Sequence, residues 1–191
     1  FLADAATFAG SAALIATVPD EHAVHPPTTK IIADIKEGIR YTFETVALRR
    51  LTEILSVINF FYFAANSLLV LYNEDLLGGG KVTFTALSVG AASGTVASRF
   101  FLESLTRRVG DTCTLQYSFW AWAIATIGLA IATNPITAIC SHFVLGIGSG
   151  WWIALYTTLR QKITPTRLIG RINAVSRTIT WGIVPFGALF G

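Results

Sequence analysis

Asn59, Tyr62 and Asn66 interrupt an otherwise apolar run, SVINFFYFAANSLLVLY, at successive spacings of three and four residues. That spacing places all three on one face of a helix. Within a membrane span, amides and a phenol are costly unless they bond another helix or line a wet cavity. Both readings fit the stripe, and the second makes it a contact surface for a small solute. Trp152 and Tyr156, beside Trp151 and Thr157, offer either an aromatic wall for the same cavity or a face toward lipid. Asp4 supplies a different chemistry. Counting back from Pro19 at about 1.5 Å per residue puts it roughly 20 Å from the end of its helix, within a bilayer. A carboxylate desolvated there has a raised pKa and is able to bind and release a proton. A packing role, with Thr7 as partner on the next helical turn, fits equally.

Other chemistry-bearing residues lack a supporting pattern. His22 and His25 form an H-x-x-H in a Pro-rich stretch that reads as a solvated loop, and His142 reads as an interfacial polar residue. Cys113 and Cys140 fall near opposite faces of the membrane and are not expected to pair, and no metal-ligand spacing surrounds them. GIGSGW at residues 146–151 imitates a dinucleotide fingerprint, but Trp151 stands in place of its final glycine and no strand precedes it. No cofactor is expected.

The elements that must position these residues are membrane helices. A chain of 191 residues that is 53% hydrophobic and only 13% charged, with a mean hydropathy of +0.60, lies outside the range of soluble domains. Candidate spans of about 20 apolar residues cover 1–18, 51–72, 82–102, 114–133, 136–159 and 178–191. The chain begins without Met and stops inside an apolar run, so it reads as a fragment cut within a span at each end. Of 14 Lys and Arg residues, all but Lys81 fall on one side of this scheme, which marks that side as cytoplasmic. The net charge of +3 thus reflects membrane topology and not a nucleic-acid partner.

Between the first two spans, Ile31, Ile32, Ile35, Ile39 and Phe43 recur at helical spacing opposite Lys36, Glu37, Arg40 and Glu44. This predicts an amphipathic cytoplasmic helix whose apolar face lies on lipid headgroups or packs beneath a bundle. The division follows: 1–18 ends one group of spans, 19–50 is a cytoplasmic linker, and 51–191 is a second bundle. Gly90/Gly94, Gly146/Gly150 and Gly187/Gly191 have the G-x-x-x-G spacing that allows close helix approach, and Gly182, Pro185 and Gly187 predict a kinked last span.

The cytoplasmic stretch TLRQKITPTRLIGRINAVSR carries five cations and no acid. Thr164 and Pro165 break the helix before it, Gly170 adds a second flexible point, and a short interfacial helix is expected between the two spans. Lipid anchoring and gating both explain such a cluster.

The span order, the long linker, LTRRVGDTCTLQYS and LRQKITPTRLIGRINAVSRTITWG together resemble the major facilitator superfamily, most closely its macrolide-efflux and enterobactin-exporter branch. The resemblance runs from the end of the sixth span into the eleventh of a twelve-span transporter. Arg108 and Gly110 match the R-x-G core of that family's cytoplasmic signature, G-x-x-x-D-R-x-G-R-R, whereas Glu103 and Arg107 replace its first Gly and its Asp. The resemblance assigns a gating role to the loop holding Arg107, Arg108, Gly110 and Asp111, and to Arg167, Gly170 and Arg171 in the basic loop further on.

It also implies an all-α, polytopic membrane bundle, the truncated second half of a transporter, in a bacterial inner membrane. The function expected is proton-coupled export of an amphipathic small molecule, drug or siderophore-like, by alternating access. The partners implied are that solute, protons, the lipid bilayer and the missing first half; no nucleic acid is expected. Two rivals are a membrane-embedded enzyme, which would cluster carboxylates, His or a Ser/Lys pair within spans, and a membrane scaffold, which would not require the polar stripe.

Overall fold

The structure, a computed structural model, describes residues 2–17 and 31–191. The chain divides into two compact units, Phe1–Ala33 and Asp34–Gly191. The first contains α1 (Leu2–Ala16), an apolar helix that ends where the Thr17 hydroxyl donates to the Leu14 carbonyl, 2.7 Å. Asp4 falls in α1, but its side chain lies outside the described residues, as do His22 and His25.

The second unit runs through α2 (Ile31–Glu44), α3 (Val46–Ser67), a short turn α4 (Leu69–Leu71), a π-helical turn Tyr72–Leu76, α5 (Lys81–Ala130), α6 (Pro135–Ile163), a 3-10 turn Thr166–Leu168, α7 (Ile169–Gly182) and α8 (Val184–Phe190). No strand occurs among the described residues. The fold is all-α.

Local chemistry accounts for the helix ends. Asn134 caps α6 by accepting from the Thr137 amide, 3.0 Å, with Pro135 preset for the first turn. Thr164 is extended, as the residue before Pro165 must be, and stops α6. Asn73 donates to the carbonyls of Gly79 and Gly80 and folds the glycine-rich connection back onto the π turn.

Two elements differ from the expectation. The basic segment between candidate spans 82–102 and 114–133 is not a loop: α5 is helical over 50 residues and is interrupted at Gly110 alone, where φ is 84° and ψ is 163°. Only glycine takes that conformation without strain, so the R-x-G glycine is the point at which the first arm of α5 turns into the second. Likewise Gly170 lies within the first turn of α7, and the expected interfacial helix is part of α7. That helix ends at Ile183, and α8 with Pro185 follows.

Among the described residues, Pro135–Ile163 is long and apolar enough to cross a membrane, and Val46–Ser67 with Leu69–Leu76, bent by 42°, makes a second if counted as one span. The two arms of α5 are rich in Gly, Ala, Ser and Thr. Those small residues are what the fold buries. On α5 the buried positions are Leu87 and otherwise Gly, Ala, Ser or Thr, whereas Val89, Val96, Phe100 and Phe101 face outward. A soluble core has the reverse distribution, with large aliphatics inside. Small residues inside and large ones outside is the packing expected where the surroundings are as oily as the interior.

The α5–α6 contact shows why. A Cβ on Gly94 would overlap the Phe143 carbonyl, one on Gly146 the Ala91 carbonyl, and one on Gly150 the Ser98 side chain. The backbones therefore meet directly, and the Thr95 hydroxyl reaches across to the Gly146 carbonyl at 3.1 Å. Gly187 and Gly191 of the last pair meet the backbone of α3 at Phe60 and Ala64.

A side chain at Gly146 should therefore force α5 and α6 apart. Gly146→Val in the full-length protein is expected to cost at least about 1–3 kcal/mol, as overpacking does, and to lower the melting temperature in detergent. Gly182→Ala, where an added Cβ meets nothing within 4 Å, serves as the control. Equal melting temperatures for the two would refute the packing account.

Candidate functional site

An open concavity of about 360 Å³ lies where α3, α6 and α7 converge, with one residue of α5 at its edge. Asn59 and Tyr62 line it from α3, Trp152 and Tyr156 from α6, Trp122 from α5 and Trp181 from α7. Trp152 and Tyr156 are one helical turn apart, so their rings stack, with centroids at 5.5 Å and planes 21° apart. Phe119 meets Trp152 edge-on at 5.3 Å, and Trp122 lies 5.7 Å from the same ring. Such stacking restricts each ring through its neighbours and leaves a rigid apolar wall.

The polar atoms of this wall are mostly committed. The Trp122 indole donates to Ser149 Oγ at 3.1 Å, and the Tyr156 hydroxyl pairs with Ser176 Oγ at 3.1 Å. Arg160, one turn beyond Tyr156, donates to its hydroxyl at 3.3 Å, with its guanidinium 5.0 Å from the ring centre. Asn59 donates to the Thr180 carbonyl at 2.7 Å, so it fastens α3 to α7 while lining the concavity. Trp151, expected beside Trp152, instead turns to α5 and donates to the Ser98 carbonyl at 3.1 Å.

Beyond Tyr62 lies a second hollow of about 250 Å³, lined among others by Asn66, Ser88 and His142. Tyr62 borders both spaces. The stripe Asn59–Tyr62–Asn66 thus runs along α3 from one to the other. His142 was expected as an interfacial polar residue but is buried, and Trp122 and Trp181 did not stand out in the sequence. A histidine within an apolar run is a detectable signal for the first, whereas single tryptophans in spans carry no mark of which way they face.

The charged residues assemble elsewhere. Asp111, just after the Gly110 break, accepts from Lys162 at 3.1 Å, which joins the turn of α5 to the end of α6. Arg107 pairs with Glu103 one turn earlier, and Arg108 borders a shallow surface hollow with them. Arg167 donates to Glu37 at 2.9 Å, while Arg171 bonds both Glu37 and Asp34, the latter at 3.0 Å. Gly38 lies against Arg171 and Val175 of α7. The docked face of α2 therefore holds Asp34, Glu37, Gly38, Tyr41 and Thr42, while Lys36, Arg40 and Glu44 are exposed. Ile35, Ile39 and Phe43, expected to seek lipid or a bundle, are exposed on the other side.

Hydrogen bonding from Arg167 leads the effects that hold the Glu37 carboxyl below its ordinary value of 4.5; the charges of Arg167 and Arg171 add to it, and desolvation opposes.

The chain matches, over residues 1–191, the model of a family described as "Transmembrane secretion effector", within the major facilitator superfamily. No curated protein and no solved structure matches it. The chain belongs to this family. Its function is accordingly secondary transport in association with a membrane, not enzymatic, and no group of His, Cys, Asp or Glu among the described residues is arranged to hold a metal.

The bonds of Glu37 have a defined pH dependence. Because its folded pKa is depressed, their contribution to docking is complete above about 4.5 and is lost as pH falls through the lower folded value. Hydrogen exchange of the amides at residues 34–44 should therefore stay protected, after correction for intrinsic rates, from pH 7 to 5. It should accelerate in Glu37→Gln at pH 7. Equal protection in variant and parent would show that α2 is held by something else.

Proposed function

We propose that the chain forms the second half of a major facilitator exporter of the macrolide-efflux and enterobactin-exporter kind, which moves an amphipathic small molecule out of the cell in exchange for protons. Residues 19–50 are the cytoplasmic linker between halves and residues 51–191 the second bundle, multi-pass in a bacterial inner membrane. The observation that carries this reading is the aromatic concavity. It combines stacked Trp152 and Tyr156, further indoles and few uncommitted polar atoms, a surface suited to a flat or greasy solute bearing a small number of polar groups. Its open side is proposed to be closed by the first half, and rocking of the halves would expose the site alternately to each face. Asp4 is proposed to carry a proton. The cations at Arg107, Arg108, Arg167 and Arg171, with Gly110, Asp111 and Gly170, would form cytoplasmic contacts that open and close with that motion.

Trp181 tests the site with least risk to folding, since it is 58% exposed while lining the concavity. In the full-length protein, Trp181→Ala should weaken transport of an amphipathic dye such as rhodamine 6G by about tenfold in half-saturating concentration, the effect of losing one large aromatic contact. Unchanged transport in a normally expressed variant would remove the concavity from the cargo path.

Topology has its own test. Gly80 and Thr166 are exposed, and an added Cβ at Gly80 meets nothing within 4 Å, whereas at the adjacent Gly79 it would strike Asn73. With Cys113 and Cys140 replaced, Gly80→Cys should react with an impermeant thiol reagent in intact cells and Thr166→Cys only after lysis. Labelling of both in intact cells would overturn the proposed orientation.

A further inference from the structure

His142 is seven residues into α6, about 10 Å along the helix from Pro135. It is buried, although α6 is the helix most clearly able to cross a membrane. Its ring is held in one orientation. Nδ1 lies 3.2 Å from the Ala138 carbonyl, which can only accept, so Nδ1 carries the hydrogen and the lone pair of the neutral ring is on Nε2. No described residue bonds Nε2, and it is not among the buried polar atoms left without a partner, so it opens onto the hollow that the residue lines.

The surroundings of that hollow isolate the imidazole as a proton acceptor. From α3 come Tyr62, Ala65 and Asn66; α4 offers Leu69, and α5 offers Ser88, Ala91 and Leu129. Tyr62 is the other titratable group among them, no charged side chain lines the space, and the aromatic concavity beyond Tyr62 holds no carboxylate either. Histidine is the side chain whose ordinary titration falls between about pH 5 and 8. A buried imidazole that shares a hollow with the polar groups of Tyr62, Asn66 and Ser88 is thus placed for proton exchange, and Tyr62 also lines the space proposed for cargo.

We propose that His142 is a proton-binding site of the transporter, accepting a proton from water at Nε2 and returning it to water on the other side as the halves rock. Protonation turns Nε2 from acceptor into donor and places a positive charge beside Tyr62. The neutral and protonated states then present different partners to Tyr62, and so to a solute in the aromatic concavity. No covalent step is involved. The inference rests on the exporter reading above and adds to Asp4 a second proton site, one in the second bundle.

Full-length protein in liposomes loaded with the pH indicator pyranine tests it, with a rhodamine 6G gradient as the driving force. Wild-type protein should move protons against the dye. His142→Gln keeps a hydrogen-bonding amide but cannot titrate. It should retain dye exchange in the absence of a proton gradient and lose about half or more of the dye-linked proton movement, the remainder passing through Asp4. Ser88→Ala, which alters the same hollow without removing the imidazole, should retain coupling.

Unchanged proton movement in His142→Gln would overturn the inference while leaving the exporter reading in place. Loss of dye exchange together with proton movement in a folded His142→Gln protein would also overturn it, because His142 would then be a cargo contact. A wild-type protein that moves dye without protons would overturn both readings. If the glutamine variant does not accumulate, His142→Asn serves in its place, and unchanged proton movement in that variant overturns the inference.

Discussion

Backbone contact between α5 and α6 is the constraint on which the rest of the second unit depends. Gly90, Gly94, Gly146 and Gly150 let the two helices approach until backbone atoms touch, with Leu87, Ala138 and Ile139 packed together at one end of the seam. Many weak dispersion contacts, with Thr95 and Trp151 bonding across, take the place of the aliphatic core of a soluble domain. This close approach brings α6 against both arms of α5 and sets the direction in which its other faces point.

The aromatic wall follows from that placement. With Gly146 and Gly150 turned to the first arm of α5 and Gly148 to the second, Trp152 and Tyr156 project toward α3 and α7. His142, a little more than one turn before Gly146, faces the space behind Tyr62. The same helix thus provides a packing seam, a rigid ring stack and a buried imidazole, separated by the helical period alone. Asn59, by bonding Thr180, holds α3 and α7 at the spacing that keeps the concavity open between them.

At the charged end, the ion pairs join elements that are distant in sequence. Asp111 and Lys162 connect the turn of α5 to the end of α6, while Asp34 and Glu37 draw α2 onto Arg167 and Arg171. Individually, pairs this exposed contribute little. Two carboxylates converging on Arg171, with Gly38 close against α7, form a network that specifies which side of α2 docks. The apolar residues Ile35, Ile39 and Phe43 of α2 remain outside that contact.

The helical class, the closely packing glycine pairs and the relation to the major facilitator superfamily were legible in the residues alone. Each depends on short-range pattern: hydropathy over about 20 residues, G-x-x-x-G spacing and loop motifs. The i, i+3, i+7 spacing also placed Asn59, Tyr62 and Asn66 on one face. It did not reveal that Asn59 would bond the Thr180 carbonyl, 121 positions away, or that Tyr62 would divide two hollows. Nor did it distinguish Trp151, which seals a helix contact, from Trp152, which lines a site, because adjacent residues on a helix diverge by about 100° and only neighbouring helices give those directions meaning. Tertiary packing also decided the orientation of α2 and the environment of His142. An amphipathic pattern reports that a helix has two unlike faces, and a histidine in an apolar run reports a cost; which face docks, and what meets the imidazole, depends on partners brought together only by folding.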